Sequence, residues 1–309
     1  MNAISDRLAP GRLLGPEGWR RRRTLIGMGY ALPTAIMVAV FFIVPLLLVV
    51  QMSASDWTLL SGDRGLNVPE NYADLGSGRL FWPAVEFTIR YTLIVTVLLI
   101  ALGLLMALVV QESGRWSGML RTVFLLPLAV GLAAASLLFW GFYSNSIGPL
   151  NPMLQGAGLI ESPISFLGTP TNALMSTVFL IVWKFAGFYM LILLVGLQSI
   201  PRDIYESAAL DGAGRWSTFR HITLPLLRPA LALSLILAVT GSLLAFDQFF
   251  LLTKGGPDNT TVTIVQLIYR EAFQLQDLGK AAAISIVLLV ALLALNALWF
   301  RSLRKPATE

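Results

Sequence analysis

The sequence contains no cysteine and a single histidine, His221. Disulfide frameworks, thiol nucleophiles and thiolate metal sites are excluded, and no metal centre can be assembled from clustered histidines. Charge is scarce as well. Only 13% of the 309 residues are Asp, Glu, Lys or Arg, whereas a soluble domain carries about 25%. None falls within residues 24–55, 91–111, 122–160, 162–183, 185–201, 229–246 or 281–300. A chain with so little charge faces something other than water over much of its surface. No nucleophile, base and orienting residue stand at a convincing spacing, so an enzymatic site within the spans has no support.

What fills the uncharged stretches is apolar. Hydrophobic residues make up 56% of the chain, and they predict membrane-spanning helices at 28–51, 87–110, 122–143, 173–197, 229–252 and 279–300. Each approaches or exceeds the roughly 20 residues that a helix needs to cross hydrocarbon. The first run is too long for a signal peptide. Lipid offers backbone groups no water, so uninterrupted helices are the economical expectation, with Pro33, Pro45 and Pro127 near helix ends or at kinks. The predicted class is an all-α membrane protein with six transmembrane helices. Its expected organisation is a basic arm (1–27), a first helix with its outer loop (28–84), the main transmembrane domain (85–300) containing a long loop at 199–225, and a tail (301–309).

Six spans place both ends of the chain on one side. That side holds Arg7, Arg12, Arg20 to Arg23, Arg115, Arg121, Arg202, Arg215, Arg220, Arg228, Arg301, Arg304 and Lys305, most of the 22 basic residues. The opposite loops are longer and hold fewer. The positive-inside rule therefore makes both termini cytoplasmic. The net charge of +5 reads as orientation, with anionic lipid contact at Arg20 to Arg23 as an alternative use, and not as nucleic-acid binding.

The loop at 199–225 is the most informative segment. Pro201 suits a first helical position, Asp203 the first turn, and Gly212 a left-handed stop. Trp216, Phe219 and Ile222 predict a second short helix that Leu224-Pro225 ends before the fifth span. Ser207, Ala208 and Ala209 form a small-residue patch, which lets another protein's backbone approach closely.

These residues resemble the cytoplasmic signature of sugar-type ABC importer permeases, such as those for maltose and glycerol phosphate. That signature is Glu-Ala-Ala, three residues, Gly, nine residues, Ile, one residue, Leu-Pro. Here Glu206, Ser207, Ala208, Gly212, Ile222, Leu224 and Pro225 stand at matching spacing, with Ser207 replacing alanine as the one departure. Tyr205, Asp211-Gly212-Ala213, Phe246-Asp247 and Thr253 to Pro257 look like the same branch, and the resemblance covers roughly 85–300.

The resemblance implies a type I importer permease fold in a prokaryotic plasma membrane. It also implies a second, related permease, two ATPase subunits that bind ATP and Mg, and an extracytoplasmic solute-binding protein. The loop would form a coupling helix that fits a cleft on the ATPase. There Glu206 would make a polar contact, Ser207 to Ala209 the close-packed face, and Gly212 the corner, with His221 packing or hydrogen-bonding at the same contact. No cofactor is expected on this chain. Its one Gly-Lys pair, Gly279-Lys280, is followed by Ala281, and Gln274 stands where a phosphate-binding loop needs its first glycine.

Candidates for the solute path are Lys184, Tyr189, Asp247 and Gln248. Lys184 lies about 15 Å deep at helical rise. An ionisable group there faces a cavity, or else hydrogen-bonds to carbonyls of a neighbouring helix. Asp247 and Gln248, near the outer end of the fifth span, contact solute or anchor the helix end. Trp183, Phe188, Tyr189 and Phe246 are available to stack a sugar ring or simply to pack. The outer loops at 56–86 and 144–172 carry no motif and are expected to be plain solvated loops, with contact to the binding protein as the alternative for either. A secondary carrier is the competing reading; related halves, interrupted helices and several buried charges would mark it.

Overall fold

The computed structural model describes residues 16–112 and 114–303. They divide into two units, one ending at Met52 and the other beginning at Ser53. The expected basic contributions of Arg7, Arg12, Arg304 and Lys305 lie outside the described residues.

In the first unit, α1 (Pro16–Val38) runs through a π turn at Ala39–Ile43 into α2 (Val44–Ser53). Residues Ile26–Ser53 are long and apolar enough to cross a membrane. Phe41, Phe42 and Leu47 are more than half exposed, the surface of a helix prepared for lipid. Pro33 sits inside α1, while Pro45 follows the π turn directly, where an altered hydrogen-bond ladder tolerates a missing N–H.

The second unit opens with a small subdomain. Strands β1 (Ser55–Thr58) and β2 (Gly62–Leu66) pair antiparallel, with Trp57 opposite Asp63, and α3 (Glu70–Ser77) follows. Asn71 on α3 donates from Nδ2 to the carbonyls of Ser53 and Ser55, at 3.0 and 2.9 Å. The Leu59 N–H reaches the Gln276 carbonyl at 2.9 Å. A plain loop was the expectation here. The hairpin escapes a sequence reading because its strands are short and polar and lack the alternating apolar pattern of a half-buried strand.

Next come α4 (Phe81–Val110), α5 (Arg115–Leu125), α6 (Leu132–Tyr143), α7 (Leu150–Gly156) and α8 (Pro170–Gln198). Helices α4 and α8 form the central pair. Gly103 on α4 lets the backbone of α8 approach so closely that a methyl group there would lie 2.9 Å from Tyr189 Cβ. Small residues serve this purpose at membrane helix contacts, where dispersion and not water exclusion holds helices together. Tyr91, Val95, Leu99, Leu174, Val178, Ile181 and Phe249 build the core around the pair.

The expected third span is not one helix. After α5 the chain tightens into a 3₁₀ turn at Leu126–Ala129, extends at Val130, and restarts as α6, bent by 91°. Pro127 lacks an N–H and Gly131 supplies the extended residue before α6, so the break falls where the ladder is weakest.

The expected fifth span is interrupted too. Helices α9 (Arg202–Leu210), α10 (Arg215–Thr218) and α11 (Leu224–Leu226), the last two linked by a π turn at Phe219–Thr223, lead to a 66° bend before α12 (Arg228–Leu243). Leu224-Pro225 stand at the end of the loop's second helical run, as the spacing suggested, since that run extends from Arg215 to Leu226. Pro225 lies within α11, and the chain turns at Leu227. Beyond α12 the chain leaves the helix at residues 244–246, then re-enters a helical turn that includes a π segment at Phe249–Thr253. Two further helices complete the unit, α13 (Ile264–Tyr269) and α14 (Leu278–Leu303). Among the described residues four helical runs are long and apolar enough to span a membrane, or up to six if each bent pair is one span.

Candidate functional site

The loop that carries the signature forms a compact helical corner. Asp203 lies in the first turn of α9, where a negative charge meets the positive end of the helix dipole. Pro201 stands one position before the helix instead of at its first residue. At the other end Gly212 has φ +78°. Its N–H reaches the Ala209 carbonyl at 3.1 Å, and the Ala213 N–H reaches the Ala208 carbonyl at 2.9 Å. This pair of bonds is the Schellman closure, which requires a left-handed residue. Tyr205 Oη and Thr223 Oγ1, 3.3 Å apart, hold α9 against the next turn.

The corner divides the expected small-residue face. Ala208 is buried in the chain's own fold, while Glu206, Ser207, Ala209 and Asp211 are exposed. Successive helical residues point about 100° apart, so Ser207 to Ala209 cannot share one outward face. Two outward apolar residues lie beside them: Leu210, which the sequence reading did not single out, is 89% exposed, and Trp216, read there only as part of the second helix's spacing, 71%. Ile222 and Leu224 are half-buried, with Pro225, behind the corner. His221 Nδ1 lies 3.0 Å from the Ser217 carbonyl, a bond within its own helical segment. Behind the corner opens a cleft of about 1220 Å³, lined by Arg121, Arg202, Tyr205 and Arg215 among others. Arg121 caps α4, its Nη2 donating to the Val110 carbonyl at 2.6 Å.

The path candidates separate into two places. Tyr189, Asp247 and Gln248 line one pocket of about 320 Å³, together with Tyr91, Ser242 and Phe246. The pocket lies where the chain leaves α12, so the irregular backbone at 244–246 borders a cavity. In lipid, such backbone is tolerated only where protein or a cavity covers it. Thr263 Oγ1 satisfies the Ala245 carbonyl at 2.7 Å. Gln248 is buried, and its Oε1 has no hydrogen-bond partner. Asp247 beside it is exposed. Of the four aromatics considered for stacking, Phe188, Tyr189 and Phe246 line the pocket. Trp183 packs on Phe139 instead, at 5.1 Å between ring centres. Tyr91 and Ser242 went unrecognised in the sequence. A tyrosine inside an uncharged span was the available signal, since its hydroxyl needs a partner when buried.

Lys184 points elsewhere. Its Nζ donates to the carbonyls of Leu128 and Val130, at the break between α5 and α6. The break leaves these acceptors outside any helical ladder, and the lysine supplies the donor. Phe185 adds a cation–π contact at 5.2 Å. This is the geometry of the carbonyl-bonding alternative. Among the described residues no group of three His, Cys, Asp or Glu stands close enough to hold a metal ion.

Comparison with known proteins places this architecture. Residues 99–306 match the family described as binding-protein-dependent transport system inner membrane component. Over 287 residues the chain is 35% identical to the trehalose/maltose transport system permease protein MalF of Thermococcus litoralis, covering 91% of this chain and 94% of that one. It is 32% identical over 275 residues to the sulfoquinovosyl glycerol transport system permease protein SmoG of Agrobacterium fabrum, covering 88% of each. A solved chain of a bacterial alginate ABC transporter, in complex with an alginate pentasaccharide-bound periplasmic protein, matches with a TM-score of 0.81 and 25% identity, covering 93% of this chain and 97% of that one. Interrupted helices, a mark of secondary carriers, are present here as well, so the family match and not helix continuity separates the two readings. The chain belongs to the binding-protein-dependent transport system inner membrane component family, whose members are permease subunits of ABC transporters and not enzymes.

Proposed function

We propose that this chain is a permease subunit of a sugar ABC importer, contributing half of the translocation path and coupling to separate ATPase subunits through residues 199–225. The observation that carries the reading is the pocket at the interrupted fifth span. There a carboxylate (Asp247), a buried amide with an unpaired acceptor (Gln248) and aromatic rings converge on one cavity. A sugar offers what that lining needs, hydroxyl donors for the acceptors and C–H faces for the rings. The lining contains a carboxylate and no cation. A neutral polyol therefore suits it better than a glycerol phosphate, particularly as Lys184 is engaged elsewhere. Similarity to a permease named for trehalose and maltose supports a neutral sugar, and similarity to one from an alginate transporter supports carbohydrate as the broader class.

In this reading all six spans cross the membrane, each bent pair counting as one, and both termini are cytoplasmic. The exposed Leu210, Trp216 and Glu206 at the corner meet the ATPase, and ATP with Mg binds there. A second permease completes the path, and a binding protein delivers solute from outside. ATP-driven closure can move the permease only through an interaction that differs between its two states, and a rigid corner transmits such a difference. The test is reconstitution of the complex in liposomes. Sugar with binding protein should stimulate both ATP hydrolysis and uptake. Uptake by this chain alone without ATP would overturn the reading.

A further inference from the structure

A second cleft lies next to the pocket just described and is joined to it by aromatic rings. It measures about 450 Å³ and is lined by Trp140 from α6, Phe250 and Lys254 from the re-entering turn, and Gln266, Tyr269 and Arg270 from α13 and its continuation. Phe246, which lines the inner pocket, stacks on Phe250 at 5.0 Å with the planes only 17° apart. Tyr269 touches both rings, at 5.4 and 5.0 Å, and Phe273 extends the row by 5.2 Å. Phe273 is 58% exposed and Trp140 48%. The rings thus run without a gap from an open surface to the pocket at Asp247 and Gln248.

The polar groups of the cleft complement the rings. Gln266 is 2% exposed, yet its Oε1 has no hydrogen-bond partner. A buried acceptor left unpaired is destabilising, and structures rarely keep one without a reason. Arg270 is held in place, Nη1 on Asn259 Oδ1 at 2.6 Å and Nη2 on the Lys254 carbonyl at 3.1 Å. Lys254 is exposed and stands in the left-handed region at φ 53°. The lining carries these two cations and no carboxylate. The cleft therefore offers donors, one unpaired acceptor and flat π faces. A pyranose ring presents the counterparts: hydroxyl oxygens, a hydroxyl hydrogen and an apolar C–H face.

We propose that this cleft is a second, outer carbohydrate subsite, and that the Phe246–Phe250–Tyr269 row lets one short oligosaccharide occupy both sites. The inference rests on the inner pocket being a sugar site. It adds that the solute has more than one ring and that the outer ring stacks on Trp140 and Tyr269. Gln266 Oε1 accepts a hydroxyl hydrogen from that ring.

The test measures binding of glucose, maltose and maltotriose to the membrane-purified chain, with its accompanying subunits, in nanodiscs. Saturation-transfer NMR reports which sugar protons touch protein, and a titration gives each affinity. Maltotriose should bind more tightly than glucose. Trp140→Leu and Gln266→Leu should each reduce the ratio of maltotriose to glucose affinity by about tenfold, the equivalent of 1.4 kcal/mol. Gln266→Leu should do so without lowering thermal stability, because it removes an unpaired acceptor; a structural role predicts the opposite pair of results. Asp247→Asn should weaken all three probes together. If the outer variants leave the affinity ratio unchanged, the outer subsite is overturned while the inner pocket stands. If Asp247→Asn alone changes nothing, the inner reading fails instead. Failure of all three probes to bind the wild-type protein also overturns the subsite. Release of a partner subunit by Trp140→Leu, with sugar affinities intact, makes the cleft a protein interface and overturns it equally.

Discussion

Gln248 Nε2 donates to Tyr91 Oη at 3.1 Å, across 157 positions of sequence. The bond ties the long helix α4 to the short turn that follows the break in the fifth span. It also leaves Gln248 Oε1 facing no protein donor. A tyrosine and an amide buried together in this way form a two-residue device, one bond made and one acceptor held open.

Removing half of that device should cost more than removing all of it. Tyr91→Phe leaves a buried amide with no partner at either end, and we expect a loss of about 1–3 kcal/mol of stability. Adding Gln248→Leu should restore most of it, since replacing both partners by apolar groups is nearly neutral. Both variants should lose sugar uptake. Thermal denaturation and uptake measured on the single and double variants check the cycle; additive losses of stability would refute it.

Lys184→Met should act on stability and not on solute recognition. The part-buried carbonyls of Leu128 and Val130 lose their donor at a helix break, with a cost of about 1 kcal/mol, the low end for acceptors left unpaired. Affinity for whichever sugar stimulates the ATPase should remain near wild type. A selective change in sugar affinity at unchanged melting temperature would return Lys184 to the solute path.

Gly212 tests the corner. A Cβ there meets nothing within 4 Å, so any penalty comes from the backbone at φ +78°. Alanine should cost roughly 1–2 kcal/mol locally, valine more, and asparagine least, because it tolerates the left-handed region. Uptake per ATP hydrolysed, and the amount of ATPase retained on membranes, should decline in the order Asn, Ala, Val. Wild-type coupling in Gly212→Val would remove the corner's mechanical role.

Gly187 tests the packing beneath the site. A methyl there would overlap the Phe124 carbonyl oxygen, whereas one at Gly241 meets nothing within 4 Å. Gly187→Ala should destabilise the protein by about 1–3 kcal/mol through overpacking, and Gly241→Ala should not. Melting temperatures in detergent, side by side, decide it.

The segment that joins α13 to α14 carries a pH signature. Burial raises the Glu271 carboxyl above the ordinary carboxylate range; Lys280 opposes this shift and Asp277 adds to it. A carboxyl with a raised folded-state pKa contributes stability that is fully present below its unfolded pKa and is lost as pH rises through the folded one. Glu271→Gln should therefore flatten the stability profile, gaining on wild type as pH climbs above the ordinary carboxylate range. Parallel melting curves across that range would refute it.

Much of this protein was legible in its sequence. Charge-free runs announced the long helices, because hydrocarbon admits little else, and the spacing from Glu206 to Pro225 marked a corner with Gly212 at its left-handed turn. Those are local facts, set by solvent and by backbone sterics. Pro127 marked a helix end or kink, but the full break through Gly131 and the exit from the helix at 244–246 were not legible. Propensity prices a proline or a glycine, but whether the ladder fails there depends on who receives the freed carbonyls. Lys184 and Thr263 receive them, from elsewhere in the chain. The same limit hid the β1–β2 hairpin, pinned by Asn71, and it left Lys184 an open choice that depends on its neighbours. Tyr91 and Gln248 show the division most clearly. Composition and periodicity placed each on a span, but their bond, and the acceptor it leaves unpaired beside Asp247, exist only because α4 and α8 pack closely enough for the broken fifth span to lie against them.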